Sequence, residues 1–151
     1  MSANSAAARY DPAPSPSMTD LIECELARVV VQDPKEQQYI HLRTRGGERS
    51  FPIVIGFHEA NEIYSKLIGQ VHGRPLTHDL LGRVLAATDT HVQKVVVNAL
   101  RDNTYYANLH LERDGEERVV DCRPSDAIAL AVQLRAPIFV AREVLDQVAP
   151  E

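Results

Sequence analysis

VDCRPSDAIALAV, Val120 to Val132, holds a strand, a corner and a helix in one short stretch. Its first residues alternate as a strand does. Arg123-Pro124-Ser125-Asp126 forms a polar knot, and small or branched apolar residues follow without a break. A helix that is apolar on all sides is a buried one. Proline suits the first helical position, where its missing N–H would have had no partner anyway. The pattern therefore predicts a strand ending near Cys122 that feeds a buried helix over residues 124–134. The knot either shapes this turn or lines a site.

Upstream of the corner, HVQKVVVNAL (91–100), TYYANLHLER (104–113) and ERVVDC (117–122) read as strands, separated by the turn residues RDN and DGE. Downstream, APIFVA (136–141) reads as a short strand and REVLDQV (142–148) as a terminal helix. The first half of the chain repeats this order. IECELARVVVQ (22–32), YIHLRT (39–44) and RSFPIVIG (49–56) are strands. Pro52 marks the last of them as an edge or a strand end, because proline cannot donate to a ladder. FHEANEIYSKLIG (57–69) is an amphipathic helix with Ala60, Ile63, Tyr64, Leu67 and Ile68 on one face, and Gly69 suits its C-terminal cap. After the loop QVHGRP comes THDLLGRVLAAT (77–88). There Thr77 is the expected N-cap, Asp79 favours the positive helix end, and Leu80, Leu81, Val84 and Leu85 form the apolar stripe.

Sliding the chain by 69 places lays Asp33 on Asp102, His41 on His110, Leu42 on Leu111, Gly46 on Gly115, Glu48 on Glu117 and Arg49 on Arg118. A further slip of two lays Glu59-Ala60 on Asp126-Ala127. The reading is an α+β fold of two β-β-β-α units, an internal duplication packed into one domain, with mostly antiparallel strands. Its helices are too few and its strand connections too short for a doubly wound parallel sheet.

The chain has 151 residues, 44% of them hydrophobic and 25% charged, which fits one globular domain with a real core. Tryptophan is absent, so Val, Ile, Leu and Ala must fill that core. Residues 1–19 (SANSAAARYDPAPSPS and its flanks) are Ser-, Ala- and Pro-rich, and a disordered tail is expected there, with the domain over 20–151. No apolar run approaches the ~20 residues that cross a bilayer, and no charged-then-apolar leader opens the chain. Cys24 and Cys122 make no disulfide framework, so reduced thiols and a cytoplasmic location are expected. The net charge of -5 argues against a generally basic, phosphate-hugging surface.

No Gly-rich phosphate loop, GxSxG, HExxH or CxxC is present. Three polar knots remain. In Arg74-Pro75-Leu76-Thr77-His78-Asp79, a helix N-terminus offers free N–H groups to an anion, with Arg74 and His78 beside it. Capping by Thr77 and Asp79 explains the same residues. In the opening knot, Arg123 is free to pair with Asp121 or Asp126, or two carboxylates are set to take a cation and the arginine a phosphate. In His58-Glu59 with Glu62, a solvated helix start competes with a carboxylate that shares a cleft with Asp126. His41 and His110 read as strand positions. Cys122 reads as a packing residue matched to Ile53, with no histidine in its local motif to activate it.

FPIVIGFHEANEI, RPLTHDLL, LRDNTYYANL and VDCRPSDAIALAVQLRAPIFVA, in that order, resemble the bifunctional nuclease domain family over about residues 20–148. Asp102-Asn103 replaces the family's usual Asp-Gly turn, and Tyr105-Tyr106 a more usual Phe-Tyr. The resemblance implies a nuclease acting on the phosphodiesters of RNA or DNA with a divalent cation, Mg²⁺ or Mn²⁺. On this reading Asp79, Asp126 and Glu59 hold the metal, and His78, Asp79, Asp126 and Arg123 form the catalytic set. Arg74, Thr77 and Ser125 contact substrate. The competing reading is a non-catalytic module that binds an anion or a partner. A homodimer is expected from the alternating apolar strands.

Overall fold

The structure, a computed structural model, describes residues 20–151; the expected tail over 1–19 lies outside them. The elements are β1 (Leu21–Val30), β2 (Gln38–Thr44), β3 (Ser50–Ile55), α1 (Phe57–Leu67), α2 (Thr77–Ala87), β4 (His91–Arg101), β5 (Thr104–Arg113), β6 (Glu116–Cys122), α3 (Pro124–Leu134), β7 (Ile138–Ala141) and α4 (Arg142–Val148). This is an α+β domain. All seven strands form one sheet in the order β3-β2-β1-β7-β4-β5-β6. Neighbours are antiparallel except β4 and β7. Pro52 does sit on an edge strand. Both hairpin turns in the second half use positive φ, at Asp102 and Asn103 and at Asp114 and Gly115. Asn and Asp tolerate that region, so the departure from Asp-Gly is harmless.

The two β-β-β-α units lie side by side in this sheet, joined through β7. Their registers correspond. Leu42 faces Phe51 and His41 faces Pro52 in the first unit; Leu111 faces Arg118 and His110 faces Val119 in the second. One β-bulge falls at the same point of both units, opposite Leu42-His41 in β1 (between Leu26 and Arg28) and opposite Leu111-His110 in β4 (between Val92 and Lys94); β4 has a second, between Val97 and Ala99, without a counterpart. Helices α1 and α3 correspond end to end, with Phe57 on Pro124 and Leu67 on Leu134. The slip of two therefore occurs inside the hairpin turn. It re-pairs Cys122 with Ile55, correcting the match to Ile53.

Phe51 on β3 and Tyr105 on β5 stack with centroids 5.9 Å apart. They are five strands apart, which in a flat sheet is roughly 24 Å. The sheet is therefore curled, and its concave face holds α1 and α3. Ile40, Leu42, Ile53, Ile63, Val95, Val97, Ile128, Leu130 and Val140 form the core between them, all nearly or fully buried. Helix α3 is buried almost throughout, as its composition requires.

Helix α2 departs from expectation. Leu80, Leu81 and Val84 are exposed, and His78 is its buried residue. The apolar stripe faces outward because the opposite face of α2 is occupied by polar ties to α1 and α3. Ile128→Ala should therefore lower the unfolding free energy by about 3 kcal/mol, and Leu80→Ala by no more than about 0.5 kcal/mol. Urea denaturation checks both. An equal cost at the two sites would show that the α2 stripe is covered.

Candidate functional site

The first turns of α1, α2 and α3 meet on the helical side of the sheet. His78 stands at the centre. Its Nδ1 lies 2.6 Å from Glu62 Oε1 on α1, and its Nε2 lies 2.9 Å from Asp126 Oδ1 on α3. Each ring nitrogen thus has a carboxylate as its hydrogen-bond partner, and whichever carries a proton donates it, since an ionised carboxylate only accepts. Arg123 closes on Asp126 in bidentate fashion, Nε to Oδ2 and Nη2 to Oδ1, both at 2.9 Å. Its Nη1 reaches Glu59 Oε2 at 3.3 Å. On the other flank Lys66 Nζ bonds Asp79 Oδ1 at 3.1 Å and lies 4.0 Å from Glu62. One chain of charged and polar contacts thus runs Glu59, Arg123, Asp126, His78, Glu62, Lys66, Asp79 across three helices.

The local folding follows from the sequence. Asp79 Oδ2 accepts the Leu76 N–H at 2.8 Å, satisfying an orphan donor at the start of α2. That bond and Lys66 hold its carboxyl below the usual range. Leu76 is the N-cap of α2, one residue before the expected Thr77. At Asp126, burial pushes the carboxyl up, but bonds from Arg123 and His78 outweigh it and the net direction is down. The Arg123 guanidinium is held still more firmly protonated, chiefly by Asp126. Glu59 folds back over its own helix start, where a Cβ at Gly56 would collide with its carboxylate. Gly82 has a similar role: its bare backbone admits Gln133, whose amide donates to the His78 carbonyl at 3.1 Å.

The repeat supplies a logic for these contacts. Moving 67 places lays Glu59 on Asp126, and both accept from Arg123. The same move lays Lys66 on Gln133. Each reaches across to α2, one to Asp79 and the other to His78. Helix α2 is thus gripped by matching positions of the two units.

His78, Asp79, Arg123, Asp126 and Glu59 are brought together as expected. Ser125 is buried next to them. Arg74 and Thr77 are exposed, and neither makes a side-chain bond to this chain of charges among the described residues. Glu62, Lys66 and Gln133 complete the set. Glu62 was visible as part of a local acidic pair; Lys66 was missed, though its place four residues after Glu62 on one helix face is the signal that could have found it. The thiols are bystanders: burial pushes Cys24 and Cys122 up to about 12, and neither is in a disulfide.

The donor set does not suit a divalent ion in this arrangement. Both oxygens of Asp126 face Arg123, both of Asp79 are taken, and Glu59 is paired. Among the described residues no group of three or more His, Cys, Asp or Glu side chains is placed to hold a metal. Nor is any helix there long and apolar enough to cross a membrane.

A curled α+β sheet thus delivers matching helix starts from its two halves to one charged site. The chain belongs to the bifunctional nuclease domain family, whose model matches residues 40–151. It is also 36% identical over 125 residues to two Mycobacterium tuberculosis proteins, uncharacterized protein MT1877 of strain CDC 1551 / Oshkosh and uncharacterized protein Rv1829 of strain ATCC 25618 / H37Rv. Each match covers 83% of this chain and 74% of the relative.

His78→Ala removes the imidazole that links two carboxylates. It should cost about 3 kcal/mol, and the loss should be local. Hydrogen exchange should speed up across α2 while β4 and β5 stay protected. Unchanged protection of α2 would mean that His78 is not what holds it.

Proposed function

We propose that the protein is a nuclease that hydrolyses phosphodiester bonds of RNA or DNA. The observation that carries this reading is the convergence of Arg123, His78, Asp126 and Glu59 from three helices, in a chain that belongs to a nuclease-domain family. Structural capping alone needs neither the Arg123 bridge to α1 nor a histidine shared by carboxylates of two other helices.

Hydrolysis forms a P–O bond from water, which gives up a proton to solvent, and breaks the P–O bond to the leaving alkoxide, which takes a proton. Arg123, with a side chain 62% exposed, is the group best placed to meet the phosphate and offset its growing charge. His78 is the candidate proton donor to the leaving oxygen. Asp126 orients both. Asp79 positions the start of α2, and Ser125 contributes a hydroxyl. Arg74 and Thr77 lie outside the charged chain and are proposed only as outer contacts for the substrate backbone.

Metal assistance belongs to the proposal in one form. A divalent ion binding at Asp126 and Glu59 has to displace Arg123 from both. Mn²⁺ titration should then broaden the amide signals of Ser125 and Asp126 more strongly in Arg123→Gln than in the native chain.

A second reading, a non-catalytic binding module, draws on one observation: every carboxylate in the chain of charges already has a partner. A homodimer fits either reading, since β3 and β6 leave two open sheet edges.

Asp126→Asn decides between them. It should reduce cleavage of labelled single-stranded and duplex RNA and DNA by at least about 100-fold, with the fold retained by circular dichroism. Cleavage that persists at the native rate in this variant contradicts the nuclease reading. Native protein that is stabilised by inorganic phosphate yet shows no turnover favours the module.

A further inference from the structure

Beside the charged chain lies a cavity of about 420 Å³. It opens where the curl of the sheet brings β3 against the β4–β5 turn, with the starts of α1 and α3 as its floor. That volume is in the range of small-molecule sites, roughly 300–1,000 Å³. Its walls are of two kinds. Pro52, Ile53, Ile55, Tyr105 and Pro124 are apolar, and Tyr105 is backed by its stack on Phe51. Glu59, Asn103, Thr104, Arg123 and Ser125 are polar.

Ser125 is the informative member. It is only 6% exposed, yet its hydroxyl has no hydrogen-bond partner among the described residues. Its oxygen is not among the sealed-off unpaired atoms of the interior, so it opens onto the cavity and is available to a ligand. At the opposite wall the side chains of Asn103 and Thr104 are exposed and also make no hydrogen bond among the described residues. Donors and acceptors thus face a cavity whose other walls are flat and apolar.

The charge around it selects the ligand. Glu59 and Asp126 balance or outweigh Arg123, so the cavity does not attract a bare anion. It suits a neutral, flat, heterocyclic group that offers N–H or O–H donors to Glu59. Arg123 lies at the rim, with its exposed side chain free to touch an attached phosphate. We propose that this cavity is a nucleoside subsite, which takes one unstacked base and its sugar from a single strand. The base lies against Tyr105 and the prolines, Glu59 accepts from a sugar hydroxyl or a ring amine, and Ser125 and Asn103 bond the remaining edge. A duplex keeps its bases stacked and cannot enter without flipping one out, at a cost of a few kcal/mol. The proposal rests on the nuclease reading for its biological sense, but binding is measurable without turnover.

The test is amide NMR of the full chain titrated with adenosine, cytidine, a single-stranded tetranucleotide and a short duplex. The nucleosides and the single strand should shift the amides of Gly56, Asn103, Thr104, Tyr105 and Ser125, and the duplex should not. Asn103→Gly keeps the positive-φ turn and should weaken single-strand binding about five- to tenfold. Ser125→Val, which removes the hydroxyl and narrows the cavity, should weaken it at least as much. Absence of shifts at these amides, or binding by both variants as tight as by the native chain, overturns the subsite. Turnover without these shifts sinks the subsite and leaves the nuclease reading standing; shifts without turnover do the reverse.

Discussion

An imidazole held between two carboxylates joins the outer helix to the rest of the molecule. Without His78, α2 has no buried side chain to anchor it, and its leucines face solvent. The same contact fixes Asp126, and through Asp126 it fixes Arg123. Burying charge is costly unless each ion is paired, and stability alone is a weak reason to keep such an arrangement. A hydrophobic contact in its place would hold α2 as well. The arrangement makes better sense as a way of keeping an arginine, a histidine and two acids aligned at the mouth of a cavity.

Duplication explains how so small a chain assembles this. Two units supply equivalent helix starts, and the curled sheet brings them together. Their equivalence stops where the chemistry starts. The place that Arg123 holds in the second unit is Gly56 in the first, and that glycine lets Glu59 fold back toward Arg123. Helix α2 follows only the first unit and lies across both. A nearly symmetric frame thus carries an asymmetric site.

Much of this was legible in the sequence. Every strand and helix follows from alternation, helical period and turn residues, because each is short and cleanly bounded. The pairing of Glu59 with Asp126 was visible through the repeat. The curl was not: nothing local says that Phe51 and Tyr105, five strands apart, will touch. The orientation of α2 was also hidden. A stripe of Leu80, Leu81 and Val84 reads as buried, since periodicity reports that a face is apolar and not which side meets the core. His78 wins the inner face because two carboxylates already wait there. Asp79 likewise reads as a cap, and only the fold shows that it also receives Lys66. Arg74 and Thr77 belong to the same motif as His78 but are exposed and make no side-chain bond to its charged neighbours among the described residues, which sequence adjacency could not reveal.

The placement of His78 between Glu62 and Asp126 is the centre of this account. Long-range ¹⁵N–¹H NMR of the histidine ring reads both contacts directly. Glu62→Gln altering the Nδ1 signal and Asp126→Asn the Nε2 signal is the predicted result. Ring signals indifferent to both substitutions would contradict it.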